Sequence, residues 1–289
     1  MAEHMQALKR QIQSISSTER VTNAMKLVAA SKLRRARAVY EHNSAILKKI
    51  AFYMRESFDR VEDVPVDLLD GGREVHTTCY VVITASMGFC GSYNGNIIRE
   101  TERLIEESKH DVKLVTVGSK GEDHFSRMDY ELIHTHSESP DTVPFSEIVE
   151  TTDDLLRRYR EHDIDEIVLI FTSYINPLKQ DVVVERILPF TLPEKEKDQH
   201  QMMNSVEYMP SPREVYSYLA EKYVEMTLYN AIIEAATCEY AARRSAMENA
   251  TDNANDMLDD LNQRYSRARQ ASITNEIIEV VSGSEAQTS

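Results

Sequence analysis

The chain has 289 residues, of which 42% are apolar, and a formal net charge of −15. This length allows one or two domains, and the apolar content is sufficient for a buried core. No run approaches 18 consecutive apolar residues, so no membrane-spanning helix is predicted, and the polar residues after Met1 predict no secretory signal. Three cysteines at wide spacing are expected to be buried free thiols in a reducing compartment.

Charge is unevenly distributed along the chain. Residues 1–40 contain eight Lys or Arg against two Asp or Glu, whereas residues 41–212 contain 18 against 33 and residues 213–289 contain seven against 13. A basic start could indicate nucleic-acid binding, but it lacks interleaved aromatics, and the acidic remainder would repel a phosphate backbone. We therefore expect no nucleic-acid partner, and a basic helix that pairs with acidic protein surfaces.

The first segment, residues 1–64, is predicted to be one long helix. It contains no glycine or proline, which cost about 1 and 3 kcal/mol in a helix interior. Apolar or small side chains recur in heptads along two seams, which is typical of a coiled-coil helix. One seam consists of Leu33, Tyr40, Leu47, Met54 and Val61; the other has Ala29, Ala36 and Ile50, interrupted by Asn43 and Ser57.

The middle segment, residues 74–195, alternates short apolar strands with amphipathic helices. Strands are predicted near 80–84, 112–117, 130–134, 167–172 and 181–188, and helices at 96–108, 122–128 and 145–162. This alternation is typical of a three-layer, mostly parallel α/β domain of Rossmann-like type. The charged residues 194–204 are expected to link it to the last segment.

The last segment, residues 210–283, is predicted to be a second long helix that begins at Pro210 or Pro212. Every seventh residue from Leu219 to Ala268 is apolar, and a companion seam at 215, 222, 229, 236, 243, 250, 257, 264 and 271 is apolar at six of nine positions. A seven-residue period predicts a left-handed supercoil. The predicted fold is thus a Rossmann-like α/β domain inserted between the N- and C-terminal helices of a long antiparallel α-helical coiled coil.

The glycines Gly88, Gly91 and Gly95 follow the first predicted strand, where a dinucleotide-binding turn would lie. Their G-x-x-G-x-x-x-G spacing differs from the nucleotide fingerprint, so a tight turn is the simpler interpretation. The nine histidines form no metal-ligand pattern, and the rings of His134 and His136 are expected on opposite faces of a strand. No catalytic constellation is recognisable, so no catalytic residue, metal site or cofactor is predicted.

Two polar clusters lie on the predicted helices, at residues 24–36 and 264–278. Each could be an ordinary solvated helix face. An antiparallel pairing of the helices is expected to bring the two clusters side by side, and a shared surface of this kind favours contact with a partner.

The same clusters carry a family resemblance. The sequences AMKLVAASKLRRA at 24–36 and RARQASITNEIIEVVSG at 267–283 resemble the two ends of the gamma subunit of F-type ATP synthases. ITASMGFCGSYN at 83–94 and ENATDNA at 248–254 are similar to further stretches of that family, in the same order. The resemblance therefore covers the whole chain.

The resemblance implies a rotor rather than an enzyme. In the family, the two terminal helices form a shaft inside a ring of α and β subunits, and the α/β domain stands with the epsilon subunit on the membrane c-ring. The ATP chemistry belongs to the β and α subunits, and one gamma copy serves each complex. The cysteine pair of chloroplast forms is not found here, which favours a bacterial protein, peripheral on the cytoplasmic face of the cell membrane.

The resemblance also implies particular contacts. The lower lip of the β subunits would meet Met25, Lys26, Lys32, Arg34 and Arg35, and other β-subunit loops would meet Arg243, Arg269, Gln270, Thr274 and Glu276. The upper bearing would hold Ile277, Ile278, Val280 and Val281, and the c-ring would meet Tyr208. Two alternatives stay open: a nucleotide-binding Rossmann-like enzyme, which requires nucleotide affinity, and a generic coiled-coil scaffold, which requires a homodimer.

Overall fold

Two long helices and a five-stranded sheet with its own helices make up the part of the chain that the structure describes. The structure is a computed structural model that describes residues 2–61, 67–69, 72–176, 180–193 and 207–288. The predicted link at 194–204, and the last residues of the first two predicted segments, lie outside these ranges. The elements in chain order are α1 Ala2–Phe58, β1 Thr77–Ile83, α2 Tyr93–Glu107, β2 Asp111–Val117, α3 Ser119–Phe125, β3 Glu131–His136, α4 Phe145–Arg160, β4 Glu166–Tyr174, β5 Gln180–Leu188 and α5 Pro212–Thr288.

The sheet has the strand order β3-β2-β1-β4-β5. The first four strands are parallel, and β5 pairs antiparallel with β4. This confirms the mostly parallel sheet, and the order 3-2-1-4 is that of a doubly wound fold. The central strands β1 and β4 are apolar on both faces because helices cover both sides of the sheet.

Helices pack on both faces of the sheet, which confirms three layers. One face packs with α4, with Met54 of α1 and with α5 residues from Tyr216 to Ala235. The other face packs with α2 and α3, through Ile97 and Phe125. Both long helices therefore take part in the core of the α/β domain.

The chain divides into two compact units. One unit contains residues 1–29 and 243–289, and the other contains residues 30–242, so α1 and α5 contribute to both. Within the second unit, residues 231–241 of α5 are all buried. Within the first unit, α5 buries one narrow seam, and the residues between the seam positions are exposed.

The heptads predicted for α1 are confirmed in the second unit. Its buried and half-buried positions follow the two predicted seams, and the polar Asn43 and Ser57 lie buried in them. The rings of Phe58 and Tyr216 are 5.5 Å apart, and Lys32 Nζ donates to the Tyr240 hydroxyl at 3.1 Å. The two helices pair antiparallel there, because the contact residue on α5 moves back from Tyr240 to Tyr216 as the residue on α1 advances from Lys32 to Phe58.

The companion seam predicted for α5 is wrong in the first unit, where the observed line of burial lies one residue further along the chain. Met257 is 55% exposed, and Arg264 is exposed as well. The second line of burial instead contains Thr251, Leu258, Tyr265 and Ser272. Counting apolar residues missed this line because two of its four members carry small hydroxyl groups.

The helix ends differ slightly from expectation. α5 begins at Pro212 and continues to Thr288, beyond Gly283, whereas α1 ends at Phe58. No helix in the described ranges is both long and apolar enough to cross a membrane.

Candidate partner-binding surfaces

The basic cluster of α1 contains both free and internally bonded side chains. Arg34 and Arg35 are exposed, while Met25 and Lys26 are half-buried. The side chain of Lys32 is 45% exposed, but its ammonium lies 3.7 Å from Asp141 as well as 3.1 Å from Tyr240. The two arginines are therefore the better candidates for a partner, since Lys32 already has partners within the chain.

Apart from Tyr265, Ala268 and Ser272 on its packed side, the polar cluster of α5 is exposed. This holds for the predicted contact residues Arg269, Gln270, Thr274 and Glu276; the Glu276 carboxylate accepts a hydrogen bond from Ser272 Oγ at 3.3 Å. A shallow depression on the same helix is lined by polar side chains, among them Asp259, Arg267 and Gln270. None of these charges is buried, so water can screen each of them.

An apolar stretch follows this polar cluster. Ile277, Ile278, Val280 and Val281 are each between 52% and 71% exposed. Scattered apolar side chains are ordinary on a surface, but four within five residues form a patch that water does not favour. Such a patch is typical of a surface that another protein covers.

The expectation that the two polar clusters lie side by side is wrong. In the first unit, Thr251 Oγ1 donates to Thr22 Oγ1 at 2.9 Å, which defines the axial register of the two helices. At that register Lys26 lies level with residue 247, about 25 Å along the axis from Arg264. The α5 residue near Lys26 is instead Arg243, about one turn away, and Arg243 is buried. Within this unit, residues 24–29 of the first cluster are thus a separate surface from the cluster on α5.

Tyr208 precedes α5 and is held by a cation–π contact. Its ring lies 5.2 Å from the guanidinium of Arg60, and burial raises the pKa of its hydroxyl. That hydroxyl is buried and has no hydrogen-bond partner among the described residues. The predicted c-ring contact is therefore half-buried in this chain rather than freely projecting.

The turn between β1 and α2 is closed by its own bonds. Gly91 has φ +62°, as expected for a tight turn that needs glycine, and Asn94 Oδ1 accepts a hydrogen bond from the Ala85 amide at 2.9 Å. Met87 and Phe89 in this turn are 57% and 67% exposed. Sequence reasoning missed these two as surface residues, because an apolar side chain beside a strand is normally assigned to the core.

His134 and His136 are both held by side chains of α4. His134 Nε2 lies 3.0 Å from Asp154, and His136 Nε2 lies 2.9 Å from Thr151, so both rings face α4. The expectation of opposite faces is wrong, because strand residues two apart share a face. Among the described residues no group of three His, Cys, Asp or Glu side chains could hold a metal ion.

All three cysteines are buried thiols that form no disulfide, as predicted. Burial raises the pKa of the Cys79 thiol to about 12 and raises that of Cys238 as well. Because the thiolate is the reactive form, these two thiols are expected to be unreactive at neutral pH.

Comparison with known proteins gives one consistent result. The family model described as ATP synthase matches residues 4–287. The ATP synthase gamma chain of Moorella thermoacetica is 39% identical over 98% of this chain and 99% of its own length. That of Alkaliphilus metalliredigens is 37% identical over 98% of each chain. The sodium ion specific gamma chain of Acetobacterium woodii is 34% identical over 99% of each.

Solved structures show the same fold. A chain in the Euglena gracilis mitochondrial ATP synthase, from a structure of its OSCP, F1 and c-ring, has a TM-score of 0.67 at 16% identity, over 99% of this chain and 95% of that one. A chain from the central stalk and c-ring of the Tetrahymena thermophila enzyme has a TM-score of 0.57 at 23% identity, over 80% of this chain and 99% of that one. The fold is therefore that of central-stalk subunits of rotary ATP synthases. The chain belongs to the ATP synthase gamma chain family and is a central-stalk rotor subunit.

Proposed function

We propose that this subunit carries the rotation of a membrane c-ring to catalytic sites in surrounding α and β subunits, and that it catalyses no reaction itself. The observation that carries the proposal is the pair of long helices, of 57 and 77 residues, that bracket an α/β domain. An element that transmits torque must not bend or unwind, and helices free of glycine and proline over most of their length meet this need.

The partners follow from the chemistry of the exposed surfaces. The basic Arg34 and Arg35 suit acidic loops of a β subunit, and so do Arg269 and Gln270 on α5. The apolar side chains at 277–281 suit an apolar inner surface of the surrounding ring that excludes water. We assign the α/β domain, with Tyr208, to the side that meets the c-ring and an epsilon subunit.

A rotating surface must not bind strongly at one angle. Exposed ion pairs contribute only about 0–1 kcal/mol each, so an exposed polar face allows the helices to turn inside a ring of partners. The guanidinium groups of Arg267 and Arg269 on α5 fit this requirement because both side chains are exposed. Hydrolysis and synthesis of ATP would then take place in the β subunits, at the cytoplasmic face of a bacterial cell membrane.

The test is to express this chain in a bacterium that lacks its own gamma subunit, together with the α and β subunits of the same source. We expect one gamma copy to co-purify with α and β, and membrane vesicles to regain ATP-driven ion pumping. Failure to co-purify would contradict the proposal.

The same preparation separates the alternatives. A nucleotide-binding enzyme would show nucleotide affinity in the isolated chain by equilibrium dialysis, and a generic scaffold would form a homodimer at micromolar concentration. We expect neither result.

A further inference from the structure

The α/β domain binds one short stretch of α5 through several hydrogen bonds, in addition to the more exposed Arg160–Glu221 pair nearer the start of that helix. We name residues 234–240 of α5 the anchor segment. Tyr93 at the start of α2 donates its hydroxyl to the Ala235 carbonyl at 3.0 Å. At the end of β4, the Ser173 hydroxyl and the Tyr174 amide donate to the Glu234 carboxylate at 2.6 and 2.8 Å. Two separate parts of the domain thus bind neighbouring residues of one helix.

A third contact lies at the end of the anchor segment and also includes α1. The Tyr240 hydroxyl donates to Asp141, accepts from Lys32 at 3.1 Å, and lies 3.3 Å from the Ser139 hydroxyl. Ser139 in turn donates to Asp141 at 2.6 Å. We name these four residues the Tyr240 junction; they join α1, α5 and the loop at residues 137–144.

The loop in this junction is itself fixed to the domain. The Thr142 amide and hydroxyl both donate to the Ser139 carbonyl, at 2.7 and 2.8 Å. Val143 is buried in the domain core, and the Ser86 hydroxyl donates to the Ser137 carbonyl at 3.0 Å. Asp141 is therefore coupled to the domain by hydrogen bonds and core packing within a few residues on either side.

Apolar packing around Tyr240 defines the angle of the helix less sharply than hydrogen bonds do. The side chains that surround Tyr240 in its cluster are mostly small, namely Ala36, Ala236 and Ala241, with Leu33. Burial of apolar area is non-directional, and small side chains interlock poorly. Hydrogen bonds require a narrow range of distance and angle, and those that involve a charged group are the stronger ones. Tyr240 is buried, and burial followed by the nearby Asp141 raises its pKa, so its hydroxyl remains a donor.

We propose that the Tyr240 junction is a torsional lock: Lys32, Ser139, Asp141 and Tyr240 hold both long helices at a fixed angle to the α/β domain, so that rotation passes between them without slip. The proposal rests on the rotor function above. Lys32, which the family resemblance implied as a contact to another subunit, also takes part in this junction within the chain.

The test uses the complex of this chain with its α and β subunits. A bead is attached to a surface cysteine on the α/β domain, and its angular spread is recorded during the ATP-waiting pauses of single-molecule rotation. For Tyr240→Phe and for Asp141→Asn we expect the angular variance to rise about twofold, because the first removes the hydroxyl and the second removes the charge of the acceptor, and hydrogen bonds to a charged group are the stronger ones. In vesicles of the full enzyme, the ratio of ions pumped to ATP hydrolysed should fall in the same variants.

Tyr229→Phe is the matched control. It makes the same chemical change in the same helix, but the Tyr229 ring packs on Phe145 at 4.9 Å, and none of the hydrogen bonds found among the described residues involves its hydroxyl. Its angular variance and pumping ratio should equal those of the unaltered chain. Asp141→Glu, which keeps the negative charge of the acceptor, should restore part of the loss seen in Asp141→Asn.

The outcomes separate the two levels of inference. If the unaltered chain does not assemble with α and β, the rotor function itself fails. If it assembles and rotates, but Tyr240→Phe and Asp141→Asn leave both the variance and the pumping ratio unchanged, the lock is wrong. A fall in assembly with an unchanged variance would assign the junction to folding alone, and this too would overturn the proposal.

Discussion

Asp154 shows how one carboxylate joins a strand and a helix of the α/β domain. It accepts hydrogen bonds from Arg158 at 2.7 Å, from His134 at 3.0 Å and from Arg157. Burial alone would raise its pKa, but these three donors outweigh it and lower the pKa to about 2. His134 belongs to the edge strand β3, so the carboxylate holds that strand against α4.

The lowered pKa predicts a pH-dependent contribution to stability. A carboxylate with a depressed folded pKa stabilises above its unfolded value near 4 and loses that contribution as the pH falls through about 2. Asp154→Asn should therefore lower the free energy of unfolding by about 1–2 kcal/mol at pH 7, allowing for partial solvent screening. Denaturant titrations of both chains should show this difference narrowing between pH 4 and pH 2. A difference that stays constant with pH would contradict the assignment.

At the scale of elements, the packed seam between α1 and α5 contains buried polar side chains. Asn43 and Asn230 are both buried in the second unit, and the contacts Lys32–Tyr240 and Phe58–Tyr216 place them at the same level. Asn43 Nδ2 and Asn230 Oδ1 have no hydrogen-bond partner among the described residues. A buried asparagine in a coiled coil fixes the register of the helices and lowers their stability.

Replacing both asparagines should therefore make the protein more stable and less uniquely paired. We expect Asn43→Leu with Asn230→Leu to raise the free energy of unfolding by about 1–3 kcal/mol, because two buried polar groups are removed together. Asn43→Leu alone should raise the free energy of unfolding less, since it leaves the amide of Asn230 buried. Denaturant unfolding of the three chains checks this order, and a double variant less stable than the unaltered chain would refute it.

The same elements show what a single sequence can and cannot predict. The α1 seams were predictable because their heptads include residues such as Leu33 and Met54, whose burial stabilises the pair strongly. The second α5 seam was displaced because Thr251 and Ser272 are buried yet polar, and counting apolar residues cannot detect them. The Tyr240–Asp141 contact joins residues 99 apart in sequence, so it depends on where a loop is placed by the whole sheet, which no local pattern specifies.

At the scale of the whole molecule, the distribution of charge and of chain breakers fits one task. The excess of positive charge lies in residues 1–40, and the rest of the chain is acidic, so electrostatic attraction to acidic partner loops is strongest at one part of α1. Glycine and proline are confined to residues 65–212 and to position 283. The segments expected to carry torque thus contain almost none of the residues that permit bending.

Stiffness of α5 can be tested without changing its length or heptad register. Asn249→Gly combined with Ala250→Pro should weaken the helix locally by several kcal/mol, because glycine and proline cost about 1 and 3 kcal/mol in a helix interior. Packing on either side of the break remains, so assembly with α and β should be largely kept. ATP synthesis in energised vesicles should fall several-fold more than the gamma content of the membranes.

Asn249→Ala is the control for that experiment, since it alters the same exposed position with a residue that favours helix. Its synthesis rate per gamma subunit should match the unaltered chain. If the Gly-Pro variant also synthesises ATP at the normal rate per assembled complex, torsional continuity through residue 250 is not required, and the breaker-free composition of α5 would then reflect folding of the helix rather than transmission of torque.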